Sequence, residues 1–252
     1  VPAEQTDTLI LRVFPWSETS LIVNLYSRDF GKLAAVAKGA RRPKSPFEAA
    51  LDLLSVCRVV FIAKSGDVLD ILTEAKLQKR FRAGTRNLLR LYAGYYVAEL
   101  LDRLTDKGDR QPEIYDLAVA TLAALEEPNF ELRCIVLRYE LQMFRLIGQL
   151  PSWRKCAQCG NEADDVEWLT FSSLSGGVLC DACRIGARDV LRLPRSVRDL
   201  YERFSLADWQ SMELESYPSN HRAASRGVVQ HYLTVMLDRR LQMHSYLEEL
   251  GR

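Results

Sequence analysis

The amino-acid sequence predicts an α+β chain in which a small N-terminal β-barrel precedes an α-helical domain, itself interrupted by a four-cysteine module. Three observations carry this. Apolar and polar residues alternate between closely spaced turn signals as far as about residue 80. From Arg82 the apolar period lengthens to three and four, and two Cys-x-x-Cys pairs sit within the helical half.

The strands are taken in order. Residues 6–14 form a first strand that Pro15 stops, because proline has no N–H to give a ladder. Residues 19–26 form a second, and a turn at 27–31 with Gly31 sends the chain back through a third at 32–37. Residues 38–46 hold Gly39, Pro43 and Pro46 and must be a loop. A fourth strand follows at 53–62, then a turn at 64–67 and a fifth strand at 68–74. Five antiparallel strands in so short a stretch predict a barrel, and the OB-fold is the commonest five-stranded kind. The expected OB-fold nucleic-acid-binding domain is residues 1–80.

The helical domain is expected over residues 81–252. Leu88, Leu89, Tyr92, Tyr96 and Leu100 repeat on one face of a first helix that closes at Lys107 and Gly108. Pro112 suits an early position of a second helix through Leu125. A third spans 130–147, with Leu132, Ile135, Tyr139, Met143 and Leu146 on one stripe, and Gly148 and Pro151 end it. Residues 194–204 and 219–250 complete the helical set. At 252 residues the chain has the length for two domains, and no apolar run reaches the eighteen residues of a membrane span.

Cys156 and Cys159 form one knuckle, Cys180 and Cys183 another, with twenty residues between them. Two intervening residues let both sulfurs of a tight turn face one ion, so the four thiolates predict a tetrahedral, structural Zn²⁺. Gly160 after the first knuckle can take the positive φ such a turn needs. Between the knuckles, residues 166–171 and 178–179 flank Gly176 and Gly177 as two short strands, giving a zinc-ribbon module at about 154–186. A disulfide framework and redox thiols are the alternatives. Cys57 and Cys134 on apolar stretches, with no secretory signal ahead of them, favour a reduced cytoplasmic setting and the metal.

Net charge is +1, but residues 1–90 hold fifteen Lys/Arg against nine Asp/Glu, and the remainder nineteen against twenty-four. Two basic clusters stand out. Arg28, Lys32, Lys38, Arg41, Arg42 and Lys44 lie in and beside the barrel turns with Asp29 as their one acid. Lys76, Lys79, Arg80, Arg82 and Arg86 follow the last strand without any. Both predict neutralisation of phosphates and salt-dependent binding of a polyanion, with Trp16, Tyr26, Phe30 and Phe47 as candidate base-stacking rings. The plainer alternative is a solvated face and core aromatics, with the second cluster turned onto the acidic helices. No phosphate loop, H-E-x-x-H or G-x-S-x-G occurs, and His221, His231 and His244 lack metal spacing. A binding protein, not an enzyme, is expected.

The strand at 6–11, the Gly31-Lys32-Leu33 turn and the loop Ala37-Lys38-Gly39-Ala40-Arg41-Arg42-Pro43-Lys44-Ser45 resemble the bacterial DNA repair and recombination mediator family RecO. So do the four cysteines after a helix ending in Ile147-Gly148, and the closing residues 241–247. The resemblance implies binding of single- and double-stranded DNA, annealing of complementary strands, and work with RecR to load RecA on strands coated by single-strand binding protein. It also implies a docking place for that protein's C-terminal tail on the helices, and a cytoplasmic, nucleoid-associated setting without membrane contact. Lys38, Arg41, Arg42 and Lys44 match the family's basic loop and the cysteines its zinc site; some members lack those cysteines. A zinc-stabilised protein-interaction adaptor without direct DNA binding is the alternative function.

Overall fold

The structure, a computed structural model, describes residues 2–47, 50–66, 68–83, 87–163, 165–212, 217 and 222–251. By internal contacts the chain divides into two units, Val1–Glu126 and Glu127–Arg252.

The first unit is built on strands β1 (Ala3–Pro15), β2 (Leu21–Ser27), β3 (Gly31–Ala37), β4 (Val56–Ile62) and β5 (Asp70–Lys79). They close a barrel in the order β1-β2-β3-β5-β4, the OB arrangement that the alternation predicts. One expectation is corrected: the five strands are not all antiparallel, because β3 and β5 pair in parallel through Ala35–Asp70, Val36–Ile71 and Ala37–Leu72. An odd number of strands cannot alternate direction all the way round a ring. The strand ends also shift. β4 starts at Val56, not at residue 53, since Leu54 sits at φ +65°, outside strand geometry. β5 runs on to Lys79, which puts Lys76 and Lys79 within a strand and not behind it.

Inward residues alternate along the strands, and Ile10, Val23, Leu25, Ala35, Val59 and Phe61 fill the barrel. The second half of the β3–β4 connection adds Phe47, Ala50 and Leu51 to this core. Helix α1 (Leu88–Leu104) begins at Asn87, whose side-chain oxygen accepts from the amides of Leu89 and Arg90. With α2 (Pro112–Glu126) it packs on the outside of β1 and β2. Asp102 on α1 gathers Arg12 at 3.1 Å and Lys32 at 3.5 Å, so two strands are tied to one helix. The β2–β3 turn is pressed against the α1–α2 connection. Gly31 there takes φ +69°, and a Cβ on it would lie 2.0 Å from the Asp109 carbonyl oxygen.

The second unit centres on α3 (Leu132–Leu146), against which α5 (Arg195–Leu206) packs, with α6 (Trp209–Met212), α7 (Arg222–Leu237) and a 3₁₀ helix (Gln242–Gly251) following. The long final helix expected over 219–250 is therefore divided: Asp238 at φ +50° ends α7, and residues 219–221 lie outside the described residues. Glu140 on α3, fully buried, accepts from Arg226 on α7. The cysteine-bearing insert contains α4 (Asp181–Arg184) and a sheet ordered β7-β6-β8: β6 (Trp168–Ser172), β7 (Gly177–Leu179) and β8 (Val190–Pro194). The third strand was not foreseen, since its run is only five residues long and includes Arg192. Aromatic rings seat this sheet. Trp153 stacks on Phe171 at 5.5 Å, Phe171 meets Tyr232 at 6.0 Å, and Tyr232 meets Phe144 of α3 at 5.2 Å.

Two outcomes follow from this packing. Gly31→Ala must strain a left-handed position and push back a carbonyl, so a denaturant titration is expected to show a loss of ~2 kcal/mol or more. Burial, with Arg226 and Arg240 adding repulsion, lowers the pKa of His244 to about 4. The unfolded chain takes that proton near the ordinary 6.5, so stability falls as pH drops from about 6.5 to about 4, by up to ~3 kcal/mol. Thermal melts across that window should show a shallower slope for His244→Gln.

Candidate nucleic-acid interface and metal centre

The barrel's closure decides where its cations go. β3 cannot return to a neighbour by a tight turn, so residues 38–55 travel across the barrel mouth before β4 begins. Phe47, Ala50 and Leu51 are drawn into the core, while Lys38, Arg41, Arg42 and Lys44 stay exposed. The loop is held in shape. The Arg41 amide donates to the Thr19 carbonyl at 3.0 Å and the Arg42 amide to the Gly39 carbonyl at 3.0 Å, with Gly39 at φ +72°. Among the described residues none of these four cations has an ion-pair partner.

Elsewhere the expected basic residues have other company. Arg28 makes a bidentate contact with Asp116 of α2 at 2.9 and 3.0 Å, which raises its pKa above the ordinary arginine value. The ammonium of Lys32 donates to the Asp102 carbonyl at 2.6 Å. Lys79 pairs with Glu126 at 3.0 Å and Arg80 with Asp52 at 2.6 Å, while Glu126 also accepts the Arg82 amide at 2.7 Å. Lys76 is exposed opposite Arg58. Arg86 lies outside the described residues. The structure thus brings the loop residues together, engages Arg28, Lys32 and Lys79 with the helices and Arg80 with Asp52, and leaves Lys76 exposed on β5.

The aromatic residues divide as sharply. Phe47 is buried in the barrel core, Tyr26 is buried on the outer face of β2 near Asp109 and Glu113, and Phe30 packs edge-on against Phe61 at 5.2 Å, so none of these three offers an open face. Trp16 is 63% exposed. It stands in the β1–β2 turn, across from the basic loop, and the two segments enclose an open hollow of about 410 Å³ lined by Trp16, Ser17, Thr19, Ser20, Val36, Lys38, Gly39 and Arg42. The hydroxyl residues of this turn had no signal in the sequence beyond the break between two strands.

The four cysteine sulfurs lie within 4.8 Å of one another. All six cysteines are free, and the Cys159 and Cys180 sulfurs are 3.8 Å apart. Thiolates at about 2.3 Å from a tetrahedral ion would stand about 3.8 Å apart, so the donor set fits one such metal. The first knuckle closes through the Gly160 amide on the Cys156 carbonyl at 2.9 Å, with Gly160 at the expected positive φ, +77°. The second closes through the Cys183 amide on the Cys180 carbonyl at 3.1 Å. Burial works to raise the Cys156 thiol, but backbone hydrogen bonds from Cys180, Cys159 and Gln158 prevail and bring it down to about 6. The hydrogen bond with Cys180, then burial, pushes Cys183 up to about 12. A bound cation favours the deprotonated form of all four.

Family comparison agrees with this layout. A family described as "Recombination protein O N terminal" matches residues 3–81, and "Recombination protein O C terminal" matches residues 85–244. The chain belongs to the RecO family. It is 44% identical over 177 residues to the DNA repair protein RecO of Rhodopirellula baltica, a match covering 70% of this chain and 65% of that protein. It is 30% identical over 245 residues to that of Symbiobacterium thermophilum, covering 97% and 96%. To that of Caldanaerobacter subterraneus it is 27% identical over 234 residues, covering 93% of each. The RecO N-terminal match spans the barrel and its basic loop; the RecO C-terminal match spans the helices and all four cysteines. No helix among the described residues is long and apolar enough to cross a membrane.

Proposed function

We propose that this chain is a DNA repair and recombination mediator that binds single- and double-stranded DNA through the β3–β4 loop of its barrel and promotes annealing of complementary strands. One observation carries the reading: Lys38, Arg41, Arg42 and Lys44 are exposed together on a braced loop without ion-pair partners among the described residues, in a RecO-family barrel. Unpaired cations are the groups that can release counterions from a phosphate backbone. Annealing requires no covalent step. A cationic surface lowers the repulsion between two strands, and base pairing drives the rest. Family membership supports RecR, the C-terminal tail of single-strand binding protein and, indirectly, RecA as partners in a cytoplasmic, nucleoid-associated role. The chain works in this reading as a binding protein and not as an enzyme.

Lys76, on the exposed face of β5, is the further phosphate contact in this proposal. Arg28, Lys32, Lys79, Arg80 and Arg82 serve first to hold helices or loops to the barrel. Their charge is already balanced by neighbouring carboxylates, so they release fewer counterions from a phosphate backbone than the unpaired loop cations. The metal in this reading is one structural Zn²⁺ held by Cys156, Cys159, Cys180 and Cys183, the ion that four thiolates in tetrahedral reach select.

Arg41→Glu combined with Arg42→Glu is expected to weaken binding of both single-stranded and duplex oligonucleotides by about tenfold or more and to reduce the slope of log K against log salt by about two. Fluorescence anisotropy at several salt concentrations, beside a thermal melt showing the fold intact, checks this; unchanged affinity refutes the loop as the interface. Metal analysis of reduced protein is expected to find one zinc per chain. Cys159→Ser or chelation should open the knuckles to proteolysis near residues 156–163, and a metal-free wild-type protein with the same protease pattern would refute the assignment.

A further inference from the structure

We infer that Trp16 is the base platform of a single-strand pocket, a contact that unpaired DNA makes and duplex does not. This rests on the basic loop being the DNA interface and adds to it a second wall of different chemistry. The hollow between the β1–β2 turn and the loop measures about 410 Å³, within the ~300–1,000 Å³ range of small-ligand pockets. Its two walls are unlike. Lys38 and Arg42 supply positive charge on one side; on the other stand Trp16 and the hydroxyl-bearing Ser17, Thr19 and Ser20.

A single strand has this same two-sidedness, with phosphates along one edge and unstacked bases along the other. Glu18, exposed on the β1–β2 turn, is the one acid in residues 15–20 and 37–47. It sets the turn against phosphate and leaves the base for that side. A duplex holds its bases stacked inside and offers only its phosphate edge, so it reaches the loop without the turn.

The pocket is also formed before any ligand arrives. The Trp16 and Ser17 amides donate to the Ser20 carbonyl at 3.0 and 3.3 Å, the Ser20 amide donates to Ser17 Oγ at 3.2 Å, and the Arg41 amide locks the loop to Thr19. A large indole 63% exposed on a braced turn keeps its ring face available at small entropic cost. Stacking on such a ring tolerates any base, since every base has a π-face.

The test uses the full chain with a dT oligonucleotide and a duplex of equal length, comparing wild type, Trp16→Ala, Trp16→Phe and Arg41→Glu/Arg42→Glu. Trp16→Ala is expected to weaken single-strand binding by about tenfold, to leave duplex binding unchanged and to leave the salt slope unchanged, with Trp16→Phe recovering most of the loss. Equal losses on both DNAs, or no loss on the single strand, overturn the platform. Unchanged binding by the arginine variant overturns the loop interface instead, so the two failures are distinct.

Discussion

A closed ring of five strands must contain one parallel pair, and here that pair is β3 with β5. The constraint reaches well beyond the sheet. Parallel neighbours cannot be joined by a hairpin, so the chain leaving β3 must cross the barrel, build β4 on the far side and return. The crossing segment has two tasks that its sequence divides cleanly. Phe47, Ala50 and Leu51 of its second half join the barrel core, and its basic half is left exposed with no strand to satisfy it. The cationic loop, and the hollow beside it, are products of how the barrel closes.

Charge on the rest of the barrel is arranged by the helices packed on it. Asp102 and Asp116, from α1 and α2, reach Arg12, Lys32 and Arg28, and Glu126 at the end of α2 reaches Lys79 and the Arg82 backbone. Acid from the helices thus cancels base from the strands along one side. The loop lies out of reach of these carboxylates. An electrostatic contrast between two faces of one barrel arises in this way from helix placement.

Much of this was legible in the sequence, and what was not has a physical explanation. Period-two alternation located all five barrel strands because each has one face in the core; it could not show that one pair runs parallel, since alternation is blind to direction. The knuckle spacing gave all four sulfurs, because ligand geometry is local to each turn. The cations were harder. A lysine bound to Asp102 and a lysine facing water read alike along a chain, and the distinction between Lys32 and Lys38 lies entirely in what folds over them. Among the rings, Tyr26 and Trp16 differ in the same way: one is covered where the barrel meets Asp109 and Glu113 and the other occupies a turn.

The cysteine insert is fastened at two ends by unlike means. Its sulfurs gather at the knuckles, while the rings of Trp153, Phe171 and Tyr232, with the His231–Asp189 contact, hold the sheet onto α3 and α7. The sulfur cluster is open to oxidants and competing ligands, and the aromatic contacts are indifferent to both. Chemical damage at the cysteines would therefore free one edge of the insert and leave the other seated, confining the disturbance to the knuckles.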